Sequence, residues 1–382
     1  MTTLAIPVRI DDALNAQILS TSEDKIQGFL PDPFSEIARI SGVPRDAVFE
    51  RIIAMLRAGT IRRVRQTLMA TNLAPGSLIA WKISPEKLSA AFDWMFQKDP
   101  FSGHVVIRST DAETPGSVYR LWTTLKVPQG FSMEKHCRYL MTKTGAESFK
   151  LMPAKCLFVL GVGHVRRKSM EPGSRADVPA EVHNTNIVEL SDLDWKVLTA
   201  LKREFTPEEL NKAHGSAVGN FWNERAREAG VDLETFLRVG QSLNQRKVIG
   251  RFSTFLEHVK TLKTGEQVTK YNALFHWAVP AGSEMKAGQE VGRHHIMTHG
   301  YWREGGPEFN HVNVMGVAHG TDKQLVLAHK AAIDEHLNEA GIPVSYTNVF
   351  WGGRSEIKPS EIAPQAYRDW CVTQGLDPEQ MR

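Results

Sequence analysis

Imidazoles, a guanidinium, a phenol and an amide converge in one stretch, HIMTHGYWREGGPEFNHVNVMGVAHG at positions 295–320. With Gly305, Gly306 and Pro307 as the connection, the spacing predicts two strands. Successive strand side chains point to opposite faces, so His295, Met297, His299, Tyr301 and Arg303 share one face of the first strand. His311, Asn313, Met315, Val317 and His319 share one face of the second, and Val312, Val314, Gly316 and Ala318 form an apolar face suited to packing under helices. Imidazoles move protons near neutral pH, and a guanidinium grips carboxylates in bidentate fashion. A half-solvated hairpin carries Lys, Glu, Thr and Ser more often than His with aromatics, while an aromatic-rich dimer face fits the same composition. A metal centre fits less well: His299 and Arg303 are about 13 Å apart along an extended strand, and no Cys or carboxylate stands nearby at ligand spacing. A binding face for an anionic, aromatic ligand suits these residue types best.

The elements that must position this face recur. Residues 9–68 read as a winged helix-turn-helix, with a helix over 11–19, another over 34–40, a turn at Gly42 to Pro44, a helix whose Val48, Ile52, Met55 and Leu56 form an apolar stripe, and a wing strand from Thr60 to Leu68. Residues 77–163 follow the order β-α-β-β-α-β of a ferredoxin-like sandwich, which leaves one sheet face open. A polar, Pro- and Gly-rich stretch at 164–186 reads as a linker. The programme then repeats: AGVDLETFLRVGQSLNQRKVIGRF echoes SGVPRDAVFERIIAMLRAGTIRRV, giving a second winged helix-turn-helix at 187–258 and a second ferredoxin-like domain at 270–351. The tail at 352–382 has a short predicted helix and no assigned role. The expected fold class is therefore α+β, a tandem repeat of winged helix-turn-helix plus ferredoxin-like domain.

The repeat extends to the candidate site. His104 and Arg108 have the H-x-x-x-R spacing of His299 and Arg303. On the next first-half strand, alternation puts Arg120, Trp122, Thr124 and Lys126 on the polar face, because a one-residue slip would turn Leu121 and Leu125 outward. No first-half histidine then stands where His319 stands, so the halves differ chemically.

The chain has 382 residues, enough for several cores, with 42% hydrophobic residues, 23% charged residues and a net charge of +3. That charge does not by itself call for a nucleic-acid partner. Cys137, Cys156 and Cys371 are scattered and form no CxxC pattern, which points to a reducing cytoplasm and neither disulfides nor a cysteine-ligated cluster. No apolar run reaches the roughly 20 residues of a membrane span, and the first residues lack a signal-peptide pattern.

A winged helix followed by a ferredoxin-like domain resembles the Lrp/AsnC regulators. The hairpin resembles the narrower siroheme decarboxylase family, whose pattern has H-x-Y-x-R on one strand and a run ending in H-G on the next: His299, Tyr301, Arg303, Asn313, His319 and Gly320 match. LMPAKCLFVLGV is similar to that family's closing strand, while Asn310, His311 and Val312 depart from its Trp-Pro-Tyr run. The resemblance covers most of 9–162 and 187–351 and implies removal of CO2 from acetate side chains of siroheme, in haem or d-type haem biosynthesis, with no separate cofactor and no metal site of the protein's own. It implies His299, His319 and Tyr301 as catalytic candidates. Arg303, Asn313, His311, His104, Arg108, Arg120, Trp122 and Lys126 are the substrate-binding candidates, with an anionic iron tetrapyrrole as partner and self-association through the ferredoxin-like domains. Two competing readings remain. One is a DNA-binding regulator using the helices at 45–56 and 232–243, which begin with acidic residues where phosphate contact calls for positive or neutral ones. The other is a tetrapyrrole-binding protein without catalysis.

Overall fold

The computed structural model describes residues 6–161, 170–217, 219–257 and 269–382. The end of the first predicted ferredoxin-like domain at 162–163, the first part of the predicted linker at 164–169, and positions 218 and 258 of the second predicted helix-turn-helix lie outside the described residues. In chain order the elements are α1 (Ala13–Ser22), α2 (Pro33–Ser41), α3 (Arg45–Ala58), β1 (Ile61–Leu68), β2 (Gly76–Lys82), α4 (Pro85–Lys98), β3 (Ser102–Ser109), β4 (Tyr119–Lys126), α5 (Met133–Thr144), β5 (Ser148–Leu160) and β6 (His183–Asn184). They continue with α6 (Asp192–Lys202), α7 (Pro207–His214), α8 (Asn223–Glu228), α9 (Leu233–Gln245), β7 (Ile249–Leu256), β8 (Tyr271–Ala278), α10 (Glu284–Arg293), β9 (Met297–Arg303), β10 (Val314–Gly320), α11 (Lys323–Glu339), β11 (Tyr346–Ile357) and α12 (Pro364–Thr373).

These elements divide between two compact units, one made of the described residues within 6–69 and 188–257, the other of residues 70–161, 170–187 and 270–382. In the first unit the helices start and stop on local signals. The Asp32 carboxylate caps α2 by accepting from Ser35 N, and Gly42 ends it in the left-handed region. Strand β1 pairs antiparallel with β7.

The second unit holds a β-barrel. Strands β2, β4, β3, β11, β8, β10, β9 and β5 follow one another around a ring, β6 lies on the far edge of β5, and pairing of β2 with β5 closes the circle. This corrects the expected fold class. The tandem winged helix-turn-helix and ferredoxin-like arrangement, Lrp/AsnC-like, calls for two separate sheets, each with an open face, and a wing in each half. The eight strands instead form one closed antiparallel barrel, and the two predicted wing strands pair with each other. The cause lies in β5 and β11. Each pairs first with its own half, Leu78 with Met152 and Leu274 with Phe350, and then runs on to pair with the other, Arg303 with Ala154 and Arg108 with Gly352. Closure satisfies edge amides that two open sheets would leave unpaired.

Helices cover the outside of the barrel. Ile79, Trp81, Val105, Leu121 and Leu125 pack with α4 and α5, and Tyr367 and Trp370 of α12 complete that core, which gives the C-terminal tail a structural place. Ala273, Phe275, Trp277, Val314 and Ala318 pack with α10 and α11. The opposite side chains point inward: Ala80, Val106, Trp122, Met152, Leu274, Met315 and Phe350 form a third cluster, joined by Phe309 and Val312 from the β9–β10 connection. The predicted open polar face is thus the barrel interior, filled at its waist by aromatic rings.

Candidate active site

Side chains at the rim of this interior form two clusters, one at each junction where β11 or β5 passes between halves. At the first junction Arg108 on β3 reaches across β11. Its Nη1 donates to Phe350 O at 3.2 Å and its Nη2 to Asn272 Oδ1 at 3.1 Å on β8. Gly352 is the strand partner of both Arg108 and Asn272, and a Cβ there would stand 3.2 Å from Asn272 Cβ. The glycine leaves room for the Asn272 side chain that the guanidinium meets. Asn272 in turn pairs with His319 at the end of β10.

His319 and His299 share one hydroxyl. Thr298 Oγ1 donates to Val317 O at 3.0 Å and lies 3.3 Å from His319 Nδ1 and 3.2 Å from His299 Nδ1. The hydroxyl thus stands between the Nδ1 atoms of the two rings and holds both imidazoles on one anchor. A register shift between Val317 and Ala318 makes this possible: His299 pairs with Val317 but Met297 with Ala318, leaving Thr298 as the extra residue of a bulge. Met297, predicted on the face of His299, accordingly packs with the helix-side core.

The second junction repeats the plan with other side chains. Arg303 donates through Nη1 to Met152 O, the counterpart of the Arg108 bond to Phe350 O. Its guanidinium lies 4.4 Å from the Tyr301 ring centroid, and the Tyr301 ring stacks with His299 at 6.1 Å. Where the first junction pairs Asn272 with His319, the second pairs Gly76 with Lys126, whose Nζ would sit 2.9 Å from a Cβ at position 76. His104, counterpart of His299, bonds Ser355 Oγ through Nε2 at 2.8 Å. The alternation that turned Trp122 and Lys126 inward and Leu121 and Leu125 outward holds.

Burial leaves these cations under-compensated. Arg108 is 5% and Arg303 7% exposed, and among the described residues neither has a carboxylate partner. Burial pushes Arg108 down to about 9 and lowers Arg303. Lys126 is pushed down to about 8 by burial and then by the Arg303 charge. Tyr301 is raised by burial and keeps its proton at neutral pH. A buried cation with only neutral oxygens as partners invites an anion.

Not every predicted residue joins these clusters. Asn313 faces α10, accepting from Val279 N at 2.9 Å and donating to Val279 O at 2.8 Å. His311 is exposed in the connection with φ +55°. Arg120 donates from Nε to Arg108 O at 2.8 Å, and Trp122 sits in the waist, its indole donating to Tyr119 O. Sequence reasoning missed Asn272, Thr298, His276 and Asn348. Asn272 and His276 were legible as polar residues four apart, on one face of an apolar strand; Thr298 had no signal, since its position depends on the bulge. Among the described residues no three His, Cys, Asp or Glu side chains gather as a metal site.

No protein-family model and no curated protein matches the chain. Solved structures do. The crystal structure of the siroheme decarboxylase NirDL aligns with a TM-score of 0.63 at 17% identity, over 94% of this chain and 99% of that one. The chain shares its fold with a siroheme decarboxylase. The crystal structure of NirDL in co-complex with an iron-uroporphyrin III analogue aligns with a TM-score of 0.62 at 16% identity, with the same coverage. Both alignments span far more than either compact unit alone, so the likeness extends across the repeat. Among the described residues no helix is long and apolar enough to cross a membrane.

Proposed function

We propose that this chain removes CO2 from acetate side chains of an iron tetrapyrrole, with siroheme as the substrate to try first. The observation that carries the reading is the first junction, where two imidazoles on one hydroxyl stand next, through Asn272, to a buried guanidinium that lacks an anionic partner among the described residues. The fold shared with NirDL supports the same substrate class.

The reaction converts a pyrrole-bound CH2–COO⁻ and one proton into a methyl group and CO2. The electron pair of the breaking C–C bond passes into the ring system, so a proton delivered to the macrocycle beside the acetate makes the carboxylate leave. A neutral-range imidazole suits that delivery, and His299 or His319 acts from Nε2 while Thr298 holds Nδ1. Tyr301, its proton retained, is the alternative donor. Arg108, Arg303 and Lys126 hold carboxylates that do not react, because an ion pair with the departing carboxylate stabilises the ground state and opposes its loss. Gripping the remote arms orients the reacting one.

A regulator reading draws less support: on α3, Arg45 is paired with Asp32 at 2.9 Å and Arg51 with Asp12 at 2.9 Å, which reduces the charge offered to phosphate. The test is anaerobic incubation with siroheme followed by mass spectrometry of the extracted pigment. Loss of one or more CO2 units, abolished in His319→Ala protein that still shifts the pigment's absorbance, is the expected result. Bound but unchanged siroheme would leave a carrier or sensor, and absence of binding would remove the tetrapyrrole reading.

A further inference from the structure

Two side chains in the barrel waist carry buried nitrogens that have no hydrogen-bond partner among the described residues. His276 is fully buried, and among the described residues neither ring nitrogen has a hydrogen-bond partner. Directly across the β8–β11 ladder from it stands Asn348, 9% exposed, whose Nδ2 is likewise unpartnered while its Oδ1 accepts from Thr110 Oγ1 at 2.8 Å and from Val349 N at 2.8 Å. Rings otherwise surround the imidazole, with Phe350 at 4.9 Å, Phe309 at 6.0 Å and Trp122 at 6.1 Å between centroids. Burial and then the nearby charges of Arg108 and Lys330 push His276 down to about 3, so it is neutral and offers one N–H.

Leaving such groups unmet is costly, and an apolar pair would fill the same space without penalty. Their arrangement has one common property: the Asn348 amide, one imidazole N–H and the Arg108 guanidinium are all donors. A carboxylate has two oxygens and about four lone-pair sites, enough for all three. The geometry points to a buried receptor for one carboxylate arm of the ligand, formed by His276, Asn348 and Arg108 on the inner wall where β8, β11 and β3 meet. Resting on the tetrapyrrole reading, it makes the arm an acetate or propionate of the macrocycle inserted into the waist. Phe309 is the one ring of the surrounding cluster carried by a connection rather than by a strand, so the arm enters from that side. The equivalent position of the first half is apolar: the strand partner of Trp122 on β2 is Ala80, where the strand partner of Met315 on β8 is His276.

The test uses the full chain and two variants. His276→Leu removes the imidazole at similar volume, and Asn348→Asp keeps the acceptor for Thr110 while replacing the donor with a charge that repels an anion. Each protein is titrated with iron uroporphyrin, followed by absorbance, and separately melted in rising sodium acetate against sodium chloride of equal ionic strength. The receptor predicts that wild type binds the pigment, that both variants bind it about ten- to hundredfold more weakly, and that acetate raises the melting temperature of wild type alone. His276→Leu should melt no lower than wild type without ligand. Equal pigment affinity in all three proteins would overturn the receptor and leave the tetrapyrrole reading standing. Acetate stabilisation confined to wild type, with no pigment bound by any protein, would keep the receptor and overturn that reading. No response to either probe would overturn both.

Discussion

The two junctions of the barrel are built to one plan and furnished differently. Each has an arginine from the second strand of one half donating to the backbone of a bridging strand, Arg108 to Phe350 O and Arg303 to Met152 O. Each places a small residue opposite the arginine, Gly352 or Ala154. They part at the strand end that meets the arginine: His319 beside Asn272 at one, Lys126 beside Gly76 at the other. His299 shares the Thr298 hydroxyl with His319, whereas its counterpart His104 is engaged with Ser355 from the bridging strand. On the proposed reading, the shared scaffold supplies anion affinity twice and proton-transfer groups once.

The sharpest way to break this contrast is to exchange its histidines for alanine one at a time. His319→Ala and His299→Ala should each lower turnover by about 10²–10⁴-fold, the range for loss of a general acid, while pigment binding persists; His104→Ala should change turnover by less than about threefold. Comparable losses in all three would mean that both junctions react.

Acid stability tests the asymmetry at the waist. His276 is neutral in the native protein down to about 3, far below its ordinary 6.5, so between those values the unfolded chain takes up a proton that the folded one does not. Stability is therefore full above pH 6.5 and lost as pH falls, by roughly 1.4 kcal/mol per pH unit. Urea unfolding of His276→Leu at pH 4 to 7 should lack this component, whereas an Ala80→Leu change should leave the slope as in wild type.

A weaker effect belongs to Lys126. With its ammonium pushed down to about 8, affinity for a polyanionic pigment should fall as pH rises above 8, by at most about tenfold per unit, and a bound carboxylate will carry the midpoint upward. Lys126→Met should bind more weakly and without this limb; a limb that survives would belong to another group. The smallest change is expected for Thr298→Val, which frees both imidazoles of their common anchor and should cost turnover about three- to tenfold with pigment affinity unchanged.

How much of this was readable from the chain divides along physical lines. Local patterns carried the elements: capping residues, left-handed glycines and strand alternation set the limits of α2 and β1 to within a residue or two. Alternation also turned Trp122 and Lys126 inward. Long-range pairing was not legible. Nothing in Ser148 to Leu160 or Tyr346 to Ile357 announces that one strand will serve two sheets, so two open domains were expected where one barrel forms. The same blind spot affected the site. Arg303 shares a strand face with His299, yet its guanidinium belongs to the other junction, and Arg108, distant in sequence, stands next to His319 through Asn272. Asn313 lost its predicted role because it turns toward α10 at the strand's entry.

Ring closure also bears on how the molecule is made. His104 and Ser355, bonded across the β3–β11 seam, are 251 residues apart in sequence, and this seam needs residues up to Ile357. During synthesis the first four barrel strands must wait with both outer edges, β3 and β5, unpaired while the remaining four are translated, at about 5–20 residues per second. Such edges invite pairing with a neighbouring chain, and contacts of this sequence separation slow folding. Nascent chains on one message therefore carry complementary edges at close range, and ring closure predicts an exchanged dimer, with one chain's β11 sealing another chain's barrel, as the misfolded product to look for.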